Sequence, residues 1–452
     1  MYGLSAYCRC CLIVRGEKKF MMDIDNEHQV DQFAKGSLND YLDYLSHLEN
    51  EFNEKDKKFV AFVSEDGRFE RLRNEAQVLF ENYPDPQKRP SMFGLLVGVK
   101  DIFHVSEHET RAGSQLPQEV FQVEEAESVR LLKEAGALII GKTVTTEFAY
   151  FAPGATRNPH NVYHTPGGSS SGSAAAVSLD LCHISLGTQT IGSITRPASF
   201  CGVTGYKPSY DRISRFGVIP LSNSLDHVGV FAKDVSLTLL AASNLVNSWN
   251  STNTKLNKGS LTLGIPEGPY LSKVTDEGRV QFLATCNRLA ESGVKVKPIN
   301  VMNDFDTIVE THNLIVAAEV ANVHKEWFKL YQSIYHEKTV DLILRGQAIS
   351  SDELHVARQS RLLLREKLQK AMCLQQIDAW VSPGAPGVAP KGLASTGDPI
   401  MNLPWTHSGL PTLAIPSGNN EENLPFGLQL AGRFEEDEML YGIAMEIERL
   451  LA

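Results

Sequence analysis

Short apolar runs alternate with stretches of helical spacing along most of this chain. Residues 40–52 and 71–82 set apolar side chains three and four apart among charged ones, the spacing of amphipathic helices. A proline-bounded stretch, 84–90, reads as a loop. Residues 93–99 are then almost continuously apolar, the mark of a strand covered on both faces. A helical pattern over 126–135 leads to a strand-like 137–140, and a helix over 173–181 leads to a strand over 183–187. Alternation of this kind predicts an α/β fold with helices packed on both sides of a sheet. Residues 236–375 are richer in helical patterns, above all 351–373 with its Arg- and Lys-rich face. Strand signals return at 379–382 and 411–415. We find no internal repeat, low-complexity tract or clear linker, so one large domain is expected.

Composition narrows the function. The chain has 452 residues, of which 42% are hydrophobic and 21% charged, ordinary for a protein with a large core. Lys and Arg total 43 against 54 Asp and Glu, a net charge of −11, which argues against a nucleic-acid surface as the main business. Seven cysteines are few and odd in number, and they suit a reduced, cytoplasmic setting better than a disulfide framework. The CRCC cluster at Cys8, Cys10 and Cys11 precedes an apolar piece far shorter than the ~20 residues of a membrane span. We expect residues 1–21 to be a disordered or mis-started leader, with Met21 or Met22 the more natural beginning, and no membrane span elsewhere. The 13 histidines show no HExxH or paired spacing, so no metal site and no cofactor are expected.

Candidate chemistry concentrates in two glycine-rich segments. Residues 165–173 read TPGGSSSGS, and residues 186–202 read LGTQTIGSITRPASFCG. Amide hydrolysis needs an activated nucleophile, a site for the oxyanion and a proton for the leaving nitrogen. Ser193 follows Gly192, whose conformational freedom lets successive amides aim at one point, so Ser193 is the candidate nucleophile. Lys100 ends the apolar run LLVGVK. Burial there would disfavour its charged form, and as a base it must titrate near neutrality rather than at about 10.4. In an extended segment Asp101 points to the opposite face and need not touch it. Ser169, between Gly168 and Ser170, could relay a proton between Lys100 and Ser193.

Taken in order, TPGGSSSGSAAAV, LGTQTIGSITRPASFCGVTGYKPS and SLDHVG closely resemble the amidase signature family. VGVKDIF upstream and NLPWTHSGLPTLAIPSG with LPFGLQLAGR downstream extend the likeness over nearly the whole chain from about residue 60. The resemblance implies a single α/β/α domain with a large mixed, twisted sheet. Its Ser–cis-Ser–Lys triad maps onto Ser193, Ser169 and Lys100, with a cis peptide between Gly168 and Ser169. The oxyanion hole would fall on the amides of Thr190, Ile191, Gly192 and Ser193. We expect the amidase domain to run over 22–452, with a signature core at 95–235 and a variable region at 236–375 that sets specificity. The commonest family pattern, DTGGSIRxPA, is altered here: Gln189 stands for Asp, Ile191 for Gly, and the arginine falls at 196. That variant resembles the subgroup of malonamidases and general amidases, and looks unlike the glutamine-hydrolysing component of tRNA-dependent amidotransferases. Arg196 has two readings, a grip on a substrate carboxylate or a tie within the loop. Gly168 and Ser170 are the other candidate substrate contacts.

Two further motifs compete. Residues 136–143 satisfy the phosphate-loop pattern G-x-x-x-x-G-K-[ST], but the ALII within them is itself strand-like, which commits its amides to a sheet. Residues 168–172 satisfy G-x-S-x-G, a nucleophile elbow in which Ser170 would attack with Asp226 and His407 as partners. That reading leaves Lys100 and the Gly192–Ser193 turn without a role. The sequence therefore predicts a serine amidohydrolase that cleaves a small-molecule carboxamide to acid and ammonia or amine. A glutaminase-type subunit of an amidotransferase complex and a catalytically silent docking protein are the alternatives. The expected partner is a small amide, and a homodimer is compatible with such a chain.

Overall fold

The structure, a computed structural model, describes residues 26–452 except 122, 247 and 257–259. The proposed leader, with Cys8, Cys10 and Cys11, lies outside the described residues. Ten strands form one sheet: β1 Leu96–Lys100, β2 Leu138–Thr143, β3 Ile184–Gln189, β4 Thr204–Lys207, β5 His227–Ala232, β6 Thr262–Glu267, β7 Lys295–Asn300, β8 Ala379–Pro383, β9 Thr412–Asn419 and β10 Pro425–Ala431. Their spatial order is β2-β1-β3-β5-β4-β9-β10-β8-β6-β7. The sheet is mixed. β1 runs parallel to β2 and β3, and β6 runs parallel to β7 and β8. The strands from β3 through β5, β4, β9 and β10 to β8 pair antiparallel. Helices Ser171–Ser178 and Val235–Leu245 both pack on β3 and β5, and Asp437–Leu451 covers β9 and β10. This is the single α/β domain that the alternating pattern predicts.

Each site-bearing element has a local reason. All five positions of β1 are buried, as its unbroken apolar run requires, and the strand ends at Lys100. A Cβ on Gly98 would lie 2.9 Å from Thr143 Cγ2 and 3.0 Å from Ser185 Oγ, so glycine lets β1 sit tightly between β2 and β3. The predicted strand starts three residues late, because residues 93–95 still belong to a turn. The helices come close to their predicted ranges, at Leu38–Phe59, Arg68–Asn82, Glu127–Glu134, Ser171–Ser178 and Ser351–Gln375. Ser37 and Ser350 each begin a helix through a capping box, with Asp40 and Glu353 respectively.

Residues 236–375 are rich in helices, as expected, and also hold strands that the sequence reading does not separate out. β6 and β7 come from that region and form one end of the sheet. β7, KVKPIN, is mostly exposed or half-buried, so it carries no apolar alternation by which a strand could be recognised. Among the described residues, no helix is long and apolar enough to cross a membrane.

Candidate active site

Lys100 is completely buried at the end of β1, where its Nζ meets two hydroxyls. Nζ lies 2.7 Å from Ser169 Oγ and 2.8 Å from Thr188 Oγ1. Burial pushes its pKa down to about 7, against the opposing pull of the Asp226 charge. Asp101 faces elsewhere and pairs with Lys142 Nζ at 2.9 Å. The chain turns at Asp101, directly after β1, so the two side chains part there rather than by strand alternation, and Lys100 is left without a contacting carboxylate.

Ser169 is carried by the loop that enters the helix Ser171–Ser178, and the peptide bond between Gly168 and Ser169 is cis. The loop is held from several sides. Arg196 Nη2 donates to the Gly168 carbonyl at 2.6 Å, and Ser171 Oγ donates to the Gly167 carbonyl at 2.9 Å. A Cβ on Gly167, whose φ is 86°, would meet Pro197 Cα at 2.8 Å, so only glycine lets this loop lie against the next helix.

Ser193 lies in the turn between β3 and the helix Thr195–Cys201. Gln189, the last residue of β3, organises that turn. Its Oε1 accepts from the amides of Ile194 at 2.7 Å and Thr195 at 2.9 Å, which caps the helix start. Its Nε2 donates to Thr406 Oγ1 at 2.9 Å, and Thr406 Oγ1 in turn donates to the Ile191 carbonyl at 2.7 Å. The Gly192 carbonyl accepts from the Arg196 amide at 3.1 Å. With these two carbonyls tied behind the turn, the amides of Ile191, Gly192 and Ser193 have no acceptor among the described residues. Gly192 is required by space as well, since a Cβ would come within 2.4 Å of Asn402 Oδ1.

Ser169, Ser193, Thr190, Ile191 and Gly192 line one small pocket, with Arg196 at its wall. The residues the sequence singles out are therefore brought together, and Lys100 reaches the pocket through Ser169. Gly168 and Ser170 lie behind it. Ser170 Oγ donates to the Thr188 carbonyl at 3.2 Å. Arg196 donates from Nη2 to the Gly168 carbonyl at 2.6 Å and to Thr396 Oγ1 at 3.1 Å, and from Nη1 to the Gly397 carbonyl at 2.5 Å, while its buried Nε has no partner among the described residues. Burial moves its pKa down to about 9, opposed by the Asp398 charge. These are the contacts of a loop tie.

The competing motifs are not assembled. Asp226 and His407 are far from an elbow around Ser170 in bonding terms: Asp226 accepts from Thr190, and His407 contacts Ser360 and His312. Residues 138–143 are β2, and Lys142 is engaged by Asp101 and Thr110. Among the described residues, no group of three His, Cys, Asp or Glu is placed to hold a metal ion. The structure adds Thr188, Thr406 and Asn402, which sequence reasoning missed. Thr188 has the one usable signal, since it lies in the strand that leads into the turn bearing Ser193.

A model of the Amidase family matches residues 45–441. The chain belongs to the amidase family. It is an amidase, a hydrolase acting on carbon–nitrogen bonds. A solved structure described as an amidase shares 30% identity, covers 95% of this chain and 100% of its own, and superposes with a TM-score of 0.84. A glutamyl-tRNA(Gln) amidotransferase subunit from Koribacter versatilis is 30% identical over 414 residues, 80% of this chain and 85% of its own. The structure of the corresponding glutamyl-tRNA(Gln) amidotransferase subunit from Thermotoga maritima, at 25% identity, covers 93% of this chain and 94% of its own with a TM-score of 0.74. The likeness to amidotransferase subunits therefore runs along the chain, even though Gln189 and Ile191 depart from the pattern by which the sequence sets that group apart.

Proposed function

We propose that this amidase hydrolyses a small carboxamide through an acyl-enzyme on Ser193. The observation that carries the reading is the 2.7 Å approach of a fully buried Lys100 Nζ to Ser169 Oγ, at the wall of the pocket that holds Ser193. A neutral amine has a lone pair for the Ser169 proton, while Thr188 holds one of its N–H groups. Ser169 then takes the Ser193 proton as Ser193 Oγ attacks the carboxamide carbon. Negative charge on the former carbonyl oxygen is met by the amides of the 190–193 turn. Each such donor is worth about 3–4 kcal/mol in well-studied hydrolases. The leaving nitrogen departs with the relayed proton, and water repeats the sequence to free the acid and Ser193.

A second reading has a specific observation in its favour. Curated relatives at 30% and 28% identity are glutamyl-tRNA(Gln) amidotransferase subunits, so a glutaminase role within a complex is the alternative. The two part on one experiment. Purified chain alone is assayed for ammonia release from aliphatic, aromatic and dicarboxylic monoamides and from glutamine. Turnover of monoamides without ATP or added protein supports the first. Activity confined to glutamine, and only with co-purifying subunits and ATP, replaces it with the second.

A further inference from the structure

The cavity system behind the base holds a carboxylate that the relay does not use. Asp226 immediately precedes β5, and β5 pairs with β3 in a register that sets His227 opposite Gln189. Continuing that register by one residue puts Asp226 across from Thr190, at the start of the nucleophile turn. Asp226 Oδ1 accepts from Thr190 Oγ1 at 2.5 Å, and Oδ2 accepts from the amides of Leu221 and Ser222 at 2.8 and 3.0 Å. Both oxygens are therefore fixed, and the group is buried.

The surroundings make this charge matter to Lys100. From β1, Lys100 itself faces the site, while its neighbour Asp101 is turned away and neutralised by Lys142. The Ser169 loop and β3 present hydroxyls, Ser169 and Thr188, at hydrogen-bond distance from Nζ. From the loop after β4, the Arg215 charge acts on Asp226, while its Nη2 pairs with Asp211 at 2.9 Å. Asp226 is the charge that pulls on Lys100, favouring the ammonium, and since burial raises its own pKa to about 6 it carries that charge above that pH. Thr188, Thr190, Asp226 and Arg215 also line a cavity of about 480 Å³ behind the turn, distinct in extent from the small pocket at Ser193 but sharing its Thr190 and Leu221 walls.

We propose that Asp226 is a positioning residue for the hydrolysis: it holds the Thr190 end of the oxyanion turn and serves as counter-charge to the ammonium formed on Lys100 when Ser193 attacks. One carboxylate thereby links the two ends of the same charge separation, the oxyanion at the turn and the cation at the base. The inference rests on Lys100 acting as the base.

The test uses the full-length protein and a fluorophosphonate, because the natural amide is not needed to read nucleophile activation. Ser193 Oγ forms a bond to phosphorus, fluoride leaves, and the Ser193 proton passes through Ser169 to Lys100. The second-order labelling rate is measured against pH for wild type, Asp226→Asn and Thr190→Val. Asp226→Asn is expected to lower the plateau rate at least tenfold and to move the acid limb down by half a pH unit or more, since Lys100 loses its counter-charge. Thr190→Val should lower the rate and leave the limb in place. An Asp226→Asn limb that coincides with wild type overturns the proposal. If Asp226→Asn does not fold, Asp226→Glu decides: a lowered rate on an unmoved limb supports it, and an unchanged rate overturns it. Failure of the base itself is read separately, as undiminished labelling of Lys100→Met.

Discussion

At the scale of single residues, the structure separates two serines that look interchangeable in the sequence. Ser170 points back at the Thr188 carbonyl, while Ser193 lines the pocket. Ser193→Ala should abolish ammonia release and fluorophosphonate labelling, whereas Ser170→Ala should retain measurable turnover; the reverse outcome would restore the elbow. Lys100 gives a second test. A base that titrates near 7 must be neutral to work, so activity should decline as pH falls below that value, and Lys100→Ala should lower kcat far more than it raises KM. Stability follows the same proton. The unfolded chain keeps Lys100 protonated up to about 10.4 while the folded chain releases that proton near 7. The unfolded state therefore binds more protons between these values, and the lysine's penalty on folding fades as pH rises through them. Denaturant midpoints of wild type and Lys100→Met should accordingly differ most below pH 7 and converge towards pH 10. Residues such as Lys100 and Ser193 are legible because their chemistry demands rare company. Thr188 and Asp226 are not, because a threonine in a strand and an aspartate before one have many ordinary uses.

At the scale of elements, β1 is readable because a strand covered on both faces must be an unbroken apolar run, and Leu38–Phe59 because burial of one face imposes a helical period. β4 and β7 escape for the opposite reason. β4 has only four residues, and β7 is wetted along most of its length. The turn between β3 and Thr195–Cys201 is readable in composition but not in wiring, since Gln189 closes contacts to Thr406, more than 200 positions away. Gln189→Ala should therefore uncap that helix and loosen the turn together, at a stability cost of about 1 kcal/mol and with a larger loss in kcat than in KM. Arg196 offers a sharper discrimination. Its guanidinium joins the Gly168 and Gly397 carbonyls, so Arg196→Ala should depress turnover of neutral and acidic monoamides alike; a loss confined to carboxylate-bearing amides would make it a substrate contact instead.

At the scale of the whole molecule, the sheet sets Asp101, in the turn that follows β1, against Lys142 of the neighbouring β2 as a buried pair beside the site. Removing one member of such a pair strands the other's charge, and costs of about 3–5 kcal/mol are usual. Lys142→Met should lower the melting temperature clearly, and Lys142→Met with Asp101→Leu should recover part of the loss. The overall class is legible because the order of helix and strand along the chain is nearly the order in which layers are laid down. The far end of the sheet is not, because its strands lie within a stretch dominated by long helices.

Thr396, Gly397 and Asn402 brace a turn and a loop whose reactive groups are all encoded before residue 200. A nascent chain thus carries the proposed nucleophile, relay and base well before it carries the segment that braces them. On the proposed mechanism the site would be completed only late in synthesis.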